Sequence, residues 1–284
     1  MQKLFSLPPV SFVVETAELF LKMGASRAAA ALSYFLILTL FPLLVCVNYF
    51  IGLFHLDLEE LLRSLDQLLP AEALAVMGDY LRYVTASQSP ALLLASLITI
   101  LISASAGLRT LLAAMDELHG GTSVHPLRRL VLSVLLSALF LLTIYLSVVV
   151  IFTGEWFFRL LELHLPRHIA ELLPLDALSG LWQWMRYLLL FSFVLLLVLI
   201  VYRAGTPRGA MRLPVVLLSS LLAALAIVGA SVMFSWFIGM SSRYALVYGS
   251  LASLIILLVW LYLCGNLLLL GAVIGRVLEA RWRN

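Results

Sequence analysis

The chain has 284 residues, of which 63% are hydrophobic and 12% charged, with a formal net charge of +3. Soluble domains carry about 25% charged residues, so a water-soluble globular protein is excluded: so much apolar surface needs lipid as part of its solvent. The charge is too small to argue for a nucleic-acid partner, and Cys46 and Cys264, with no CxxC spacing, imply neither a disulfide framework nor a metal site.

Val10 to Leu21 is amphipathic and is expected to lie along the inner membrane surface. The first apolar run begins at Ala28 and is longer than a signal-peptide core of about 7–15 residues, which predicts a retained helix. From there charges punctuate the chain into silent stretches. There are 29 uncharged residues between Arg27 and Asp57, 26 between Arg82 and Arg109, and 25 between Arg129 and Glu155. A shorter run follows Arg186, and runs of 30 and 32 lie on either side of Arg243. A span needs about 20 residues, and backbone groups in lipid must be satisfied within the segment, so these runs predict helices. The predicted fold is all-α: one membrane domain over 1–284 with six transmembrane helices near 30–54, 91–110, 130–153, 182–203, 213–238 and 245–275. Two outer segments, 57–86 and 155–178, carry leucines at helical spacing interrupted by Pro70, Pro166 and Pro174, and predict amphipathic outer-loop helices.

Orientation follows from the basic residues. Twelve of the 18 Lys and Arg fall on the termini and the even-numbered loops. The positive-inside rule then predicts cytoplasmic N- and C-termini. Ten of the 15 carboxylates fall in the outer loops.

The spans show no acid or base in mid-membrane, where ion-coupled carriers place one. Their polar groups form stripes instead. Tyr34, Asn48 and Gly52 share a face of the first span, with Pro42 as an expected kink. Ser96, Thr99, Ser103, Gly107 and Thr110 line one face of the second. Ser133, Ser137 and Ser147 align in the third, and Ser220, Ala224, Ser231 and Ser235 in the fifth. Tyr248, Tyr262 and Asn266 share a face of the sixth, which also carries Gly249 and the GxxxG pair Gly271 and Gly275. Helix–helix packing accounts for most small residues, Pro42, Gly107, Gly249, Gly271 and Gly275 among them. The sharper reading is a cavity lined by Tyr34, Asn48, Ser103, Tyr248, Tyr262 and Asn266, with Arg109 and Asp116 at its cytoplasmic mouth. His164 and His168 are separated by Pro166, which interrupts the helix that i, i+4 metal ligation would need, so no metal is expected there. No GxxxxGK[ST], GxGxxG, HExxH or GxSxG motif occurs. No cofactor and no enzyme activity are expected.

Gly24 to Leu44, GASRAAAALSYFLILTLFPLL, resembles the opening helix of the YihY/BrkB family of bacterial inner-membrane proteins. Tyr248 to Ala272 resembles that family's most distinctive segment, and AMDELHG at Ala114 to Gly120 its short cytoplasmic motif. The chain departs from the pattern at Asp116, His119 and Val273, where the family commonly has Asn, Tyr and Glu. The resemblance implies a six-span inner-membrane protein without an established activity; members have carried the labels ribonuclease BN, virulence factor and transporter. A metal-dependent nuclease would need clustered His and Asp ligands, which the sequence lacks. Two functions remain: a transporter or lipid-handling translocator without ATP hydrolysis, and a non-transporting envelope scaffold. Expected partners are membrane lipids, with a homo-oligomer through the GxxxG face compatible with either.

Overall fold

The computed structural model describes residues 8–54, 74, 77–79, 89–121, 126–164, 175–207, 209–239 and 252–283. Among the described residues every regular element is a helix: α1 (Pro8–Lys22), α2 (Ala25–Phe54), α3 (Pro90–Leu118), α4 (Pro126–His164), α5 (Leu175–Gly205), α6 (Leu213–Gly239) and α7 (Ala252–Arg283). The last six each contain a stretch long and apolar enough to cross a membrane. Outward-facing Leu94, Leu188, Val232, Met233 and Trp236 are all more than half exposed. In water such a surface would drive association, whereas against hydrocarbon it is the ordinary outside of a multi-pass membrane protein.

Each helix packs on its neighbour in the chain, and α7 returns to α2, closing a ring of six. α3 is the most central, touching α5 and α7 as well as α2 and α4. Its buried face, with Ile100, Ala104, Leu111, Leu112 and Met115, joins Val198, Val201 and Tyr202 of α5 and Leu269 and Val273 of α7 in the core.

Small residues set how closely the helices approach. A Cβ on Gly265 of α7 would lie 3.2 Å from the Cβ of Ala29 on α2, and one on Gly107 of α3 would lie 3.1 Å from that of Phe35. The GxxxG pair of α7 is matched by a second small pair on α6: Gly271 faces Ala223 and Gly275 faces Ser219. The chain thus uses its GxxxG internally. Pro42 lies inside α2, which continues through it.

The described connections cluster at one end, the end richest in Lys and Arg. Gly24 (φ 64°) turns α1 into α2, Gly120 (φ 89°) and Gly121 (φ 66°) end α3, and Gly209 (φ 81°) lies between α5 and α6. All four adopt the left-handed backbone that favours glycine. α1 lies against α7, where Arg281 donates to Ser11 (2.9 Å) and Glu15 (3.3 Å) and stacks over Phe12. α7 runs to Arg283, past the apolar stretch, because its last charged residues find partners.

At the opposite end, α4 continues unbroken to His164 and α5 begins at Leu175, so most of 155–178 prolongs spans rather than forming separate helices. With 39 residues, α4 extends about 58 Å at 1.5 Å per residue, well beyond a hydrocarbon core of about 30 Å. His168, Tyr248, Gly249 and most of the expected amphipathic segment 57–86 lie outside the described residues.

Candidate functional site

Three features compete as the functional centre. The first is a cavity of about 120 Å³ inside the ring, lined by all six spans. Leu32 and Leu36 of α2, Ala104 and Leu108 of α3, Phe140 of α4 and Leu268 of α7 are among its walls, and Cys264 also faces it. Tyr34, Ser103, Tyr262 and Asn266 do not line it. Its walls are almost wholly apolar, a lining that suits hydrocarbon better than water.

The hydroxyl stripes explain why the interior is so apolar. Ser33 bonds the carbonyl of Ala30, Thr39 that of Leu36, Ser137 that of Val134 and Ser220 that of Val216. Each hydroxyl is satisfied within its own helix three or four residues back, so it needs no partner across the bundle. Across helices, Ser105 pairs with Ser133 at 2.9 Å and Trp260 donates to Ser231 at 3.2 Å. Ser103, half-buried, stands two residues from the serine that bridges α3 to α4.

The second feature is a polar strip on the outside, where α2 meets α7. Ser26 donates to the amide oxygen of Asn266 at 3.3 Å, and the amide nitrogen of Asn266 donates to the Tyr262 carbonyl at 2.8 Å. One turn deeper, Tyr262 is 37% exposed; two turns on from Ser26, Tyr34 is 55% exposed, its ring edge-on to Phe35. Ser26, Ala30 and Tyr34 recur every four residues on α2, as do Tyr262 and Asn266 on α7, so each helix contributes a single face. Eight residues of rise set Tyr34 about 12 Å deeper than Ser26. Asn48 is in α2, its side chain outside the described residues.

The third feature is the ionic cluster at the basic end. Asp116, only 7% exposed, forms an ion pair with Arg129, which ties α3 to α4. Arg109 is exposed two turns earlier on α3. His119 Nδ1 donates to the Met115 carbonyl at 2.8 Å. Burial holds its pKa below the ordinary histidine value; the charge of Arg276 lowers it further, while the Met115 carbonyl and Asp116 act in the opposite direction. Glu279 of α7 is 0% exposed, accepts the backbone N–H of Arg212 at 3.0 Å, and lies 3.7 Å from the Arg212 guanidinium. A carboxylate from one helix therefore caps the start of another, α6.

Sequence reasoning singled out Asp116 but not its partner, and it missed Glu279 and Tyr202. Glu279 had a readable signal: it follows Gly271 and Gly275 at the same four-residue interval, on the face that α6 covers. Tyr202 is fully buried and its hydroxyl donates to the Leu268 carbonyl, joining α5 to α7. Its position in an apolar run carried no such mark.

The fold and these features define a multi-pass membrane protein with a closed ring of six spans, an apolar centre and an ionic end. The chain belongs to the Virulence factor BrkB family, whose family model matches residues 16–284. It is also similar to a protein of Bacillus subtilis (strain 168) named "Putative ribonuclease-like protein YfkH", with 25% identity over 280 residues covering 96% of each chain. No solved structure matches it.

Proposed function

We propose that this protein is a bacterial inner-membrane translocator of amphiphiles that works without ATP hydrolysis, its termini in the cytoplasm and lipid headgroups travelling along the strip between α2 and α7. The observation that carries the reading is the exposure of Tyr34 and Tyr262 on the outer surface of the spans, in line with the Ser26–Asn266 pair. A hydroxyl facing hydrocarbon without a partner is costly. A headgroup phosphate or ester that accepts from it removes that cost as it passes. In this reading Arg109 stands at the cytoplasmic mouth. Asp116, held by Arg129, serves there by fixing α3 against α4. The central cavity adds room for a hydrocarbon tail. The excess of Lys and Arg at the end of the bundle that carries α1 supports the orientation.

The relative's printed name points to RNA cleavage. That chemistry is not extended to this chain: metal-activated hydrolysis needs clustered ligands, and no three His, Cys, Asp or Glu are grouped to hold a metal among the described residues.

The test is movement of a fluorescent phospholipid between leaflets of liposomes containing the purified protein, read by chemical quenching of the outer leaflet. Tyr34→Phe with Tyr262→Phe removes two hydroxyls and keeps both rings. Losing two hydrogen bonds from the moving headgroup is expected to slow transfer by about tenfold or more. An unchanged rate in that variant and in Asn266→Leu removes the strip as the path, and no transfer by the unaltered protein removes the translocator reading. A stable stoichiometric partner bound over the strip would instead mark a scaffold.

A further inference from the structure

The turn after α3 gathers polar groups that the rest of the fold leaves unused. His119 interacts electrostatically with Arg276 of α7 and with Asp116 of its own helix, and Arg129 reaches Asp116 from α4. With Nδ1–H committed to the Met115 carbonyl, the neutral imidazole presents a lone pair at Nε2. That atom is buried without a hydrogen-bond partner among the described residues, and so is Nε of Arg129. Arg276 makes no ion pair among the described residues. Glu279, one turn further along α7, is committed to Arg212. The cluster therefore sets two guanidinium groups and an imidazole against one carboxylate, which is already engaged.

We propose that His119, Arg276 and Arg129 form a binding site for a phosphate-bearing anion, taken up together with a proton on Nε2 of His119. The anion supplies acceptors for the unused guanidinium N–H groups, and charge-assisted bonds of this kind are the strong ones. Without an anion, burial and the positive charge of Arg276 favour neutral imidazole. A bound anion offsets Arg276 and gives Nε2–H an acceptor, so imidazolium becomes the favoured form. Asp116, from the same helix, also favours imidazolium. Binding consequently tightens as pH falls. The site is on α3, α4 and α7, apart from the α2–α7 strip, and it stands without the translocation reading.

A free phosphate and the headgroup of an anionic phospholipid share this chemistry. The experiment uses the full chain, with inorganic phosphate titrated into micelles in one arm and phosphatidylglycerol competing with phosphatidylcholine in nanodiscs in the other. Saturation by phosphate identifies a free anion; selective retention of phosphatidylglycerol without phosphate binding identifies a lipid; either supports the site, and neither overturns it. Arg276→Gln is expected to weaken binding by about tenfold or more, with Arg276→Lys recovering part of the loss and thermal unfolding monitored for both. His119→Gln is expected to reduce the pH dependence to that of the anion's own titration. Arg203→Gln, an exposed cation at the same end, is the comparison. If it weakens binding as much as Arg276→Gln, or if affinity does not vary with pH, the proposal fails. Binding is read at equilibrium without transfer, so a protein that binds the anion but moves no lipid overturns the translocator reading alone.

Discussion

Gly271→Ala is the sharpest test of how α7 packs against α5 and α6. A Cβ there would lie 2.5 Å from the Tyr202 hydroxyl, 2.6 Å from the Ala223 Cβ and 3.4 Å from the Ala223 Cα. Ordinary contact distances exceed the first two by about 1 Å, and Ala223 has no flexible end to give way. Either α6 and α7 separate or Tyr202 moves, and moving Tyr202 breaks its bond to the Leu268 carbonyl. Overpacking costs about 1–3 kcal/mol, and the lost hydrogen bond adds about 1 kcal/mol. The helix propensity of alanine returns about 0.5–1 kcal/mol. The net expectation is destabilisation of about 1–3 kcal/mol. Gly229→Ala is the internal comparison, since a Cβ there meets nothing within 4 Å; it should be neutral or stabilising by about 0.5–1 kcal/mol. Ala223→Gly in the Gly271→Ala background should recover part of the loss, because one of the two close contacts disappears. The assay is thermal unfolding of the detergent-solubilised protein followed by size-exclusion chromatography. If Gly271→Ala is as stable as Gly229→Ala, α6 and α7 do not meet at these residues and the packing described is wrong.

Glu279→Ala leaves the Arg212 N–H without its acceptor inside the protein, a loss of about 1–3 kcal/mol. Arg212 is largely exposed, so the ion pair itself adds little. Glu279→Gln keeps an accepting oxygen and should retain most of the stability in the same assay; equal losses in the two variants would refute the cap. His119, with its folded pKa held below its unfolded value of about 6.5, contributes stability that is fully present above that pH and is lost as pH falls through the folded value. Unfolding measured between pH 5 and 7.5 without phosphate or anionic lipid, each value on the order of the histidine range, should show that loss in the unaltered protein and not in His119→Gln.

The sequence was most informative where lipid imposes its own rule. Six uncharged runs separated by arginines could only be helices, because hydrocarbon offers the backbone no other partner. The distribution of arginines likewise marked one end as the basic end, where α1 and three short connections now lie. The polar stripes were less legible. Ser137 and Ser220 looked like groups seeking partners across the bundle, yet each returns to a carbonyl of its own helix. Periodicity states which face a residue occupies; it does not state whether a hydroxyl turns inward along that helix or outward to the next.

The number of spans and the small pair at Gly271 and Gly275 could be read from composition and local spacing, whereas α4 and α5 run further than their uncharged stretches. Which helix each glycine meets, that Glu279 caps α6, and that Arg129 pairs with Asp116 depend on the tertiary structure, because pairing energy between helices belongs to two surfaces at once and neither surface alone encodes its partner.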